Sequence, residues 1–211
     1  MTDAFVIALL GAESTGKTVL AGALASALAT PVRRVAVVTE YLREFCDRHG
    51  RTPWPEEQAR IAAEQTRRIE AASQDHDIVI ADTTAVMIAV YSEHVFGDNG
   101  LYASALADHA RCDLTLLTAL DLPWQADGLQ RDGPHVREPV DTAVRAALAS
   151  AGLGYSVISG SGTARLDMAL ACLQRALTPP LAEADAPTRW QWHCERCGDT
   201  ACERHALFPR A

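Results

Sequence analysis

Apolar and polar positions along this chain follow two rhythms. Phe5 to Leu10 (FVIALL) is a continuous apolar run, the pattern of a strand buried on both faces. From Lys17 the spacing becomes helical: Leu20, Leu24 and Leu28 form one stripe, Ala23 and Ala27 lie beside it, and Pro31 ends it. Val35 to Thr39, Asp77 to Ala81, Asp113 to Ala119 and Tyr155 to Ile158 predict four further strands. Between them the spacing predicts a helix over 56–73, opened by Pro53 and Pro55. It also predicts one or two helices over 85–110, broken at Gly97-Asp98-Asn99-Gly100, and another over 141–151. A last helix carries Leu166, Ala169, Leu170, Leu173 and Leu177. Residues 122–139 hold Gly128, Gly133, Pro123, Pro134 and Pro139 and read as a mobile loop. Five strands alternating with helices predict an α/β fold, a three-layer, doubly wound, parallel five-stranded sheet. The predicted domain covers 1–178, followed by a linker over 179–189 and a short Cys-rich C-terminal tail over 190–211.

Composition narrows the function classes. The 211 residues carry 19 Lys and Arg against 27 Asp and Glu, a formal net charge of −8. Non-specific nucleic-acid binding rests on cations that neutralise phosphates, so this balance argues against nucleic acid as a partner. No apolar run approaches the roughly 18 residues that span a bilayer, so no membrane role is expected. The N-terminus has no basic segment before its apolar stretch, so a cytoplasmic protein with reduced thiols is expected.

The chemistry begins at Gly11-Ala-Glu-Ser-Thr-Gly16-Lys17-Thr18, a match to G-x-x-x-x-G-K-[ST] between a predicted strand and a predicted helix. Gly11 and Gly16 allow the backbone of Glu13, Ser14 and Thr15 to curl its N–H groups toward phosphate oxygens. Lys17 brings charge to the β- and γ-phosphates, and the Thr18 hydroxyl is a ligand for Mg²⁺. The loop predicts ATP with Mg²⁺. Asp82, at the end of the third strand, fits a second carboxylate on the metal, or a helix N-cap. Glu40 and Arg43, three apart in TEYLREF, are presented together to a substrate or form a surface ion pair. In the loop after the fourth strand, Arg131 and Arg137 fit a lid that closes over phosphates and excludes water, or solvated cations. Tyr41 and Trp124 either stack on a flat heterocycle or anchor the core.

GAESTGKT, TEYLREF, ADTT and above all DLTLLTALDLPWQADGLQRDG resemble the nicotinamide-riboside kinase domain of NadR-type proteins, over roughly residues 4–178. The resemblance implies a sheet of the P-loop kinase type. It also implies transfer of the ATP γ-phosphoryl group to the ribosyl hydroxyl of nicotinamide riboside, a step in NAD biosynthesis. Lys17 and Thr18 match the family's phosphate and metal positions, and Asp82 its strand-three acidic motif. Trp124 and Asp127 match its substrate-side segment, and Arg131 and Arg137 resemble its lid arginines. Asp82 or Glu40 would orient or deprotonate the acceptor hydroxyl. The chain departs from the pattern at Asp82-Thr83-Thr84, where relatives read Asp-Thr-Asp, and at Gln130, where they carry Arg. It also has no H-x-G-H motif, so the resemblance is to the kinase part of NadR alone. Kinases for another nucleoside or small alcohol, and a nucleotide-dependent regulatory switch, remain open alternatives.

The tail reads Cys194-x₂-Cys197-x₄-Cys202-x₂-His205. Three Cys and one His can close a tetrahedral Zn²⁺ site of structural type; reduced thiols in a docked tail are the alternative.

Overall fold

The structure is a computed structural model, and it describes residues 4–125 and 133–178. The chain divides at Leu177, and the second unit falls almost wholly outside those residues. The described body alternates strands and helices: β1 (Phe5–Leu10), α1 (Lys17–Leu28), β2 (Val35–Val38), α2 (Tyr41–His49), α3 (Pro55–Asp75), β3 (Ile78–Asp82), α4 (Ala85–Phe96), α5 (Tyr102–His109), β4 (Leu114–Thr118), α6 (Arg137–Ser150), β5 (Ser156–Ile158) and α7 (Gly162–Leu177). All strand pairings are parallel, in the order β2-β3-β1-β4-β5.

Alternation along each strand feeds two separate cores. Ile7 and Leu9 of β1 point with Ile78, Ile80 and Leu116 into a cluster closed by Leu20 and Leu24 of α1 and Leu173 of α7. Leu10 and Leu117 belong to the opposite cluster, with Phe45 of α2, Ile61 of α3, Val86 to Val90 of α4, and Val140, Val144 and Leu148 of α6. That makes the three layers expected from the sequence. No described helix is long and apolar enough to cross a membrane.

One helix start differs from the sequence reading, and two alternatives that it left open are resolved. Of the turn or short helix open for TEYLREF, the chain forms the helix: α2 begins at Tyr41, with Glu40 as its N-cap. The helix expected from Asp141 begins four residues earlier, at Arg137, after a 3-10 turn over Pro134–Val136. Pro139 therefore lies in the first turn of α6, where a backbone N–H has no intrahelical acceptor to lose. The one or two helices expected over 85–110 are two, α4 and α5, broken where expected: α4 ends at Gly97 in the left-handed conformation (φ +69°).

The crossovers place the loops after β1, β2, β3, β4 and β5 at the carboxyl edge of the sheet. Ligands of open α/β sheets bind in that position.

Candidate functional site

The loop between β1 and α1 is built around two glycines that no larger residue could replace. Gly11 has φ +144°, and a Cβ there would lie 2.1 Å from Thr118 Oγ1. Gly16, the N-cap of α1, has φ +77°, and its Cβ would meet Leu122 Cδ1 at 3.0 Å. Thr15 and Thr118 lock the loop to β4: Thr15 Oγ1 donates to Ala12 O at 2.8 Å and lies 2.7 Å from Thr118 Oγ1. Lys17 Nζ donates to Gly11 O (2.8 Å) and Ala12 O (3.0 Å), which folds the ammonium back over the loop. Glu13 is buried and Thr18 is exposed.

A cavity of about 610 Å³ opens over this loop, lined by Ser14 to Val19, by Arg43 of α2, and by Leu122, Pro123 and Gln125 of the segment after β4. Ser14 joins its two walls, donating to Gln125 O (2.7 Å) and accepting from Gln125 N–H (3.1 Å). The structure thus brings Arg43 to the phosphate loop, and Glu40 Oε2 stands 3.7 Å from Arg43 Nε.

Asp82 ends β3 in register with Leu9, and only 3% of its surface is exposed. The helix N-cap falls to Thr84, whose Oγ1 accepts from Val86 N–H at 3.4 Å. No side-chain hydrogen bond or ion pair of the Asp82 carboxylate is seen among the described residues. A nearly buried carboxylate at the end of the strand that pairs with β1 offers oxygen, the ligand type that Mg²⁺, a hard cation, prefers. Thr84 Oγ1 lies 3.0 Å from His109 Nδ1, and Thr115 Oγ1 lies 2.9 Å from the other ring nitrogen. Its hydroxyl is committed to α4 and α5.

Arg137 lies at the start of α6 rather than in a loop. It is buried, with Nη1 donating to Leu122 O at 3.0 Å and with Nε and Nη2 unpartnered among the described residues. Trp124 is half-buried, and its indole N–H has no partner among the described residues. One face of Tyr41 is covered by the Arg68 guanidinium, 4.4 Å from the ring centroid, which makes Tyr41 an anchor of α2. Asp127, Arg131, Cys194, Cys197, Cys202 and His205 lie outside the described residues. Among those described, no group of three or more His, Cys, Asp or Glu side chains could hold a metal.

Two buried hubs escape the sequence reading. Arg165 of α7, 5% exposed, donates to Thr15 O (2.8 Å), Asp121 Oδ1 (3.0 Å) and Gly160 O (2.6 Å), tying three loops together. Burial pushes the Asp121 carboxyl up, but hydrogen bonds from Gly160 N–H and Arg165 outweigh it and hold the group below its ordinary range. Gln65 of α3 is fully buried and hydrogen-bonded to the chain on either side of Glu40 and just after Asp82. Its sequence signal is a polar residue on the stripe formed by Ile61, Ala62 and Ile69.

A family model described as an AAA domain matches residues 6–165. The chain belongs to that family. Among solved structures, this AAA domain is similar to a NadR protein in complex with NR, with a TM-score of 0.68 and 21% identity. A NadR protein in complex with NAD and AMP-PNP matches with a TM-score of 0.62 and 22% identity. Both matches cover 82% of this chain and 49% of the NadR chain, so the domain spans about half their length. Thymidylate kinase from Ehrlichia chaffeensis matches with a TM-score of 0.58 at 16% identity, over 82% of this chain and 99% of its own. The AAA domain thus has the P-loop kinase fold. No curated protein matches the sequence.

Proposed function

We propose that this AAA domain is an ATP-dependent kinase, transferring the γ-phosphoryl group of MgATP to a hydroxyl of a small nucleoside, with nicotinamide riboside as the favoured acceptor. The observation that carries the reading is Arg137. A buried guanidinium with two unpartnered nitrogens, at a helix N-terminus where the backbone dipole disfavours a cation, is costly in the free protein. Its one bond goes to Leu122, which lines the phosphate-loop cavity. Such a placement makes physical sense if an anion enters beside it, as the charge on a transferring phosphoryl group would.

The other residues take complementary roles. The 11–18 backbone and Lys17 bind the phosphates, and Arg43 adds a second cation from α2. Thr18 and Asp82 would hold Mg²⁺, whose positive charge would offset that of the phosphates. Glu40 or Asp82 orients the acceptor O–H and takes its proton as the new P–O bond forms and the bond to ADP breaks. Positioning and electrostatics supply the rate. By the NadR likeness, Trp124 and Asp127 take a substrate-side role and Arg131 a lid role. The nicotinamide-riboside preference is supported by sequence likeness to the NadR kinase domain and by the fold shared with a NadR protein solved with NR.

Arg137→Met tests the reading. Removing an unpaired buried charge should stabilise the free protein by about 1–4 kcal/mol. It should lower kcat at least about 100-fold and leave ATP affinity nearly unchanged. Unchanged turnover in the folded variant would take Arg137 out of the reaction.

A further inference from the structure

Gln65 carries a primary amide at a core position of α3, and none of its surface is exposed. All three of its hydrogen bonds go to main chain outside its own helix. Oε1 accepts from Tyr41 N–H at 2.8 Å, and Nε2 donates to Thr39 O and Thr83 O at 3.3 Å each. Thr39 and Tyr41 flank Glu40, and Thr83 follows Asp82.

The parallel ladder between β2 and β3 ends at the pair Val38–Ala81. Beyond it no strand pairing sets the spacing of the chain at Glu40 against the chain at Asp82, and the amide bridges that gap. The turn it grips is strained. Thr83 has φ +98°, a region that β-branched residues avoid, and its own buried hydroxyl is unpartnered. Such a conformation persists only where its surroundings over-determine it, and the Gln65 bond to Thr83 O is one of those determinants. A residue serving only to fill space here would need no amide, because Leu or Met has a similar volume.

We infer that Gln65 is a positioning residue for phosphoryl transfer: it touches no substrate and holds the main chain bearing Glu40 and Asp82 in one fixed relation. The inference rests on the kinase reading above.

Three variants test it. Gln65→Met keeps the volume and removes every bond, Gln65→Asn keeps the amide one methylene short, and Gln65→Glu keeps the acceptor for Tyr41 N–H while losing both donors. In Gln65→Met the Tyr41 amide should exchange with solvent at least about tenfold faster. ATP affinity should stay within about twofold while kcat falls about 10- to 100-fold, since small misplacements of reacting groups cost that much. Gln65→Glu should keep Tyr41 protected and still lose turnover. Wild-type kcat in a folded Met or Asn variant whose Tyr41 amide exchanges fast overturns the inference; if Met does not fold, Asn decides. If the wild-type protein itself releases no ADP with any acceptor, the kinase reading has failed instead. The clamp is then judged on the magnesium dependence of ATP binding. A displaced Asp82 should weaken that dependence several-fold in the Asn variant, and an unchanged dependence overturns the inference.

Discussion

Gly11 and Gly22 stand eleven residues apart, and the structure assigns their substitutions opposite signs. A methyl at Gly11 would drive into Thr118 Oγ1 at 2.1 Å and force a side chain onto φ +144°, so Gly11→Ala should cost at least about 2 kcal/mol. A methyl at Gly22, within α1, meets nothing within 4 Å, so Gly22→Ala should gain about 0.5–1 kcal/mol through helix propensity. Urea denaturation of the two variants checks both signs, and a tolerated Gly11→Ala would mean that the loop is not held as described. The phosphate loop was legible because its residue types are required by local backbone geometry and sit together in sequence. Arg165 was not. Its partner Thr15 lies 150 residues away, and nothing near Arg165 in the sequence marks it as buried. Gln65 left a faint trace as a polar residue on an apolar stripe, but its partners lie on two strand ends that only folding brings together.

The helices show where periodicity succeeds and where local chemistry overrides it. Long amphipathic α3 was found to within two residues at each end, since its stripe and opening proline agree. The start of α6 was misplaced because Pro134 and Pro139 read as loop residues, although proline in a first turn breaks nothing. The junction of α4 with α5 yields a pH prediction. His109 is buried between the neutral hydroxyls of Thr84 and Thr115, and desolvation lowers its pKa to about 4 from an ordinary 6.5. The unfolded chain therefore takes up a proton first as pH falls. Stability should decline from about pH 6.5 to about pH 4 and then stop changing on this group's account, by on the order of 3 kcal/mol in total. His109→Gln can bridge both hydroxyls without titrating. Urea midpoints followed across that window should fall in the wild type and stay flatter in the variant. Parallel curves would place the titration elsewhere.

The alternation of strands and helices was enough to predict a three-layer parallel sheet, because buried parallel strands and their covering helices have unmistakable patterns. The order β2-β3-β1-β4-β5 was not readable, since it depends on which crossovers pack best rather than on any one segment. That order sets the site. It puts β1 between β3 and β4, so the phosphate loop lies between Asp82 on one side and Thr118 with its following segment on the other. The loop between β1 and α1 was therefore visible in the sequence. The rest depends on which side chains the fold gathers: Arg43 comes to the cavity over the phosphate loop, while Tyr41 is taken up by Arg68.

The decisive measurement is ADP release from MgATP with nicotinamide riboside, with a panel of other nucleosides and with no acceptor, in the wild type and in Lys17→Ala. Strong stimulation by nicotinamide riboside alone, lost in Lys17→Ala while the variant remains folded, is the expected result. Stimulation by a different nucleoside would keep the kinase and replace its acceptor. ATP binding with no stimulation by any acceptor would show that the domain is not a nucleoside kinase, and would move the reading to a nucleotide-dependent switch.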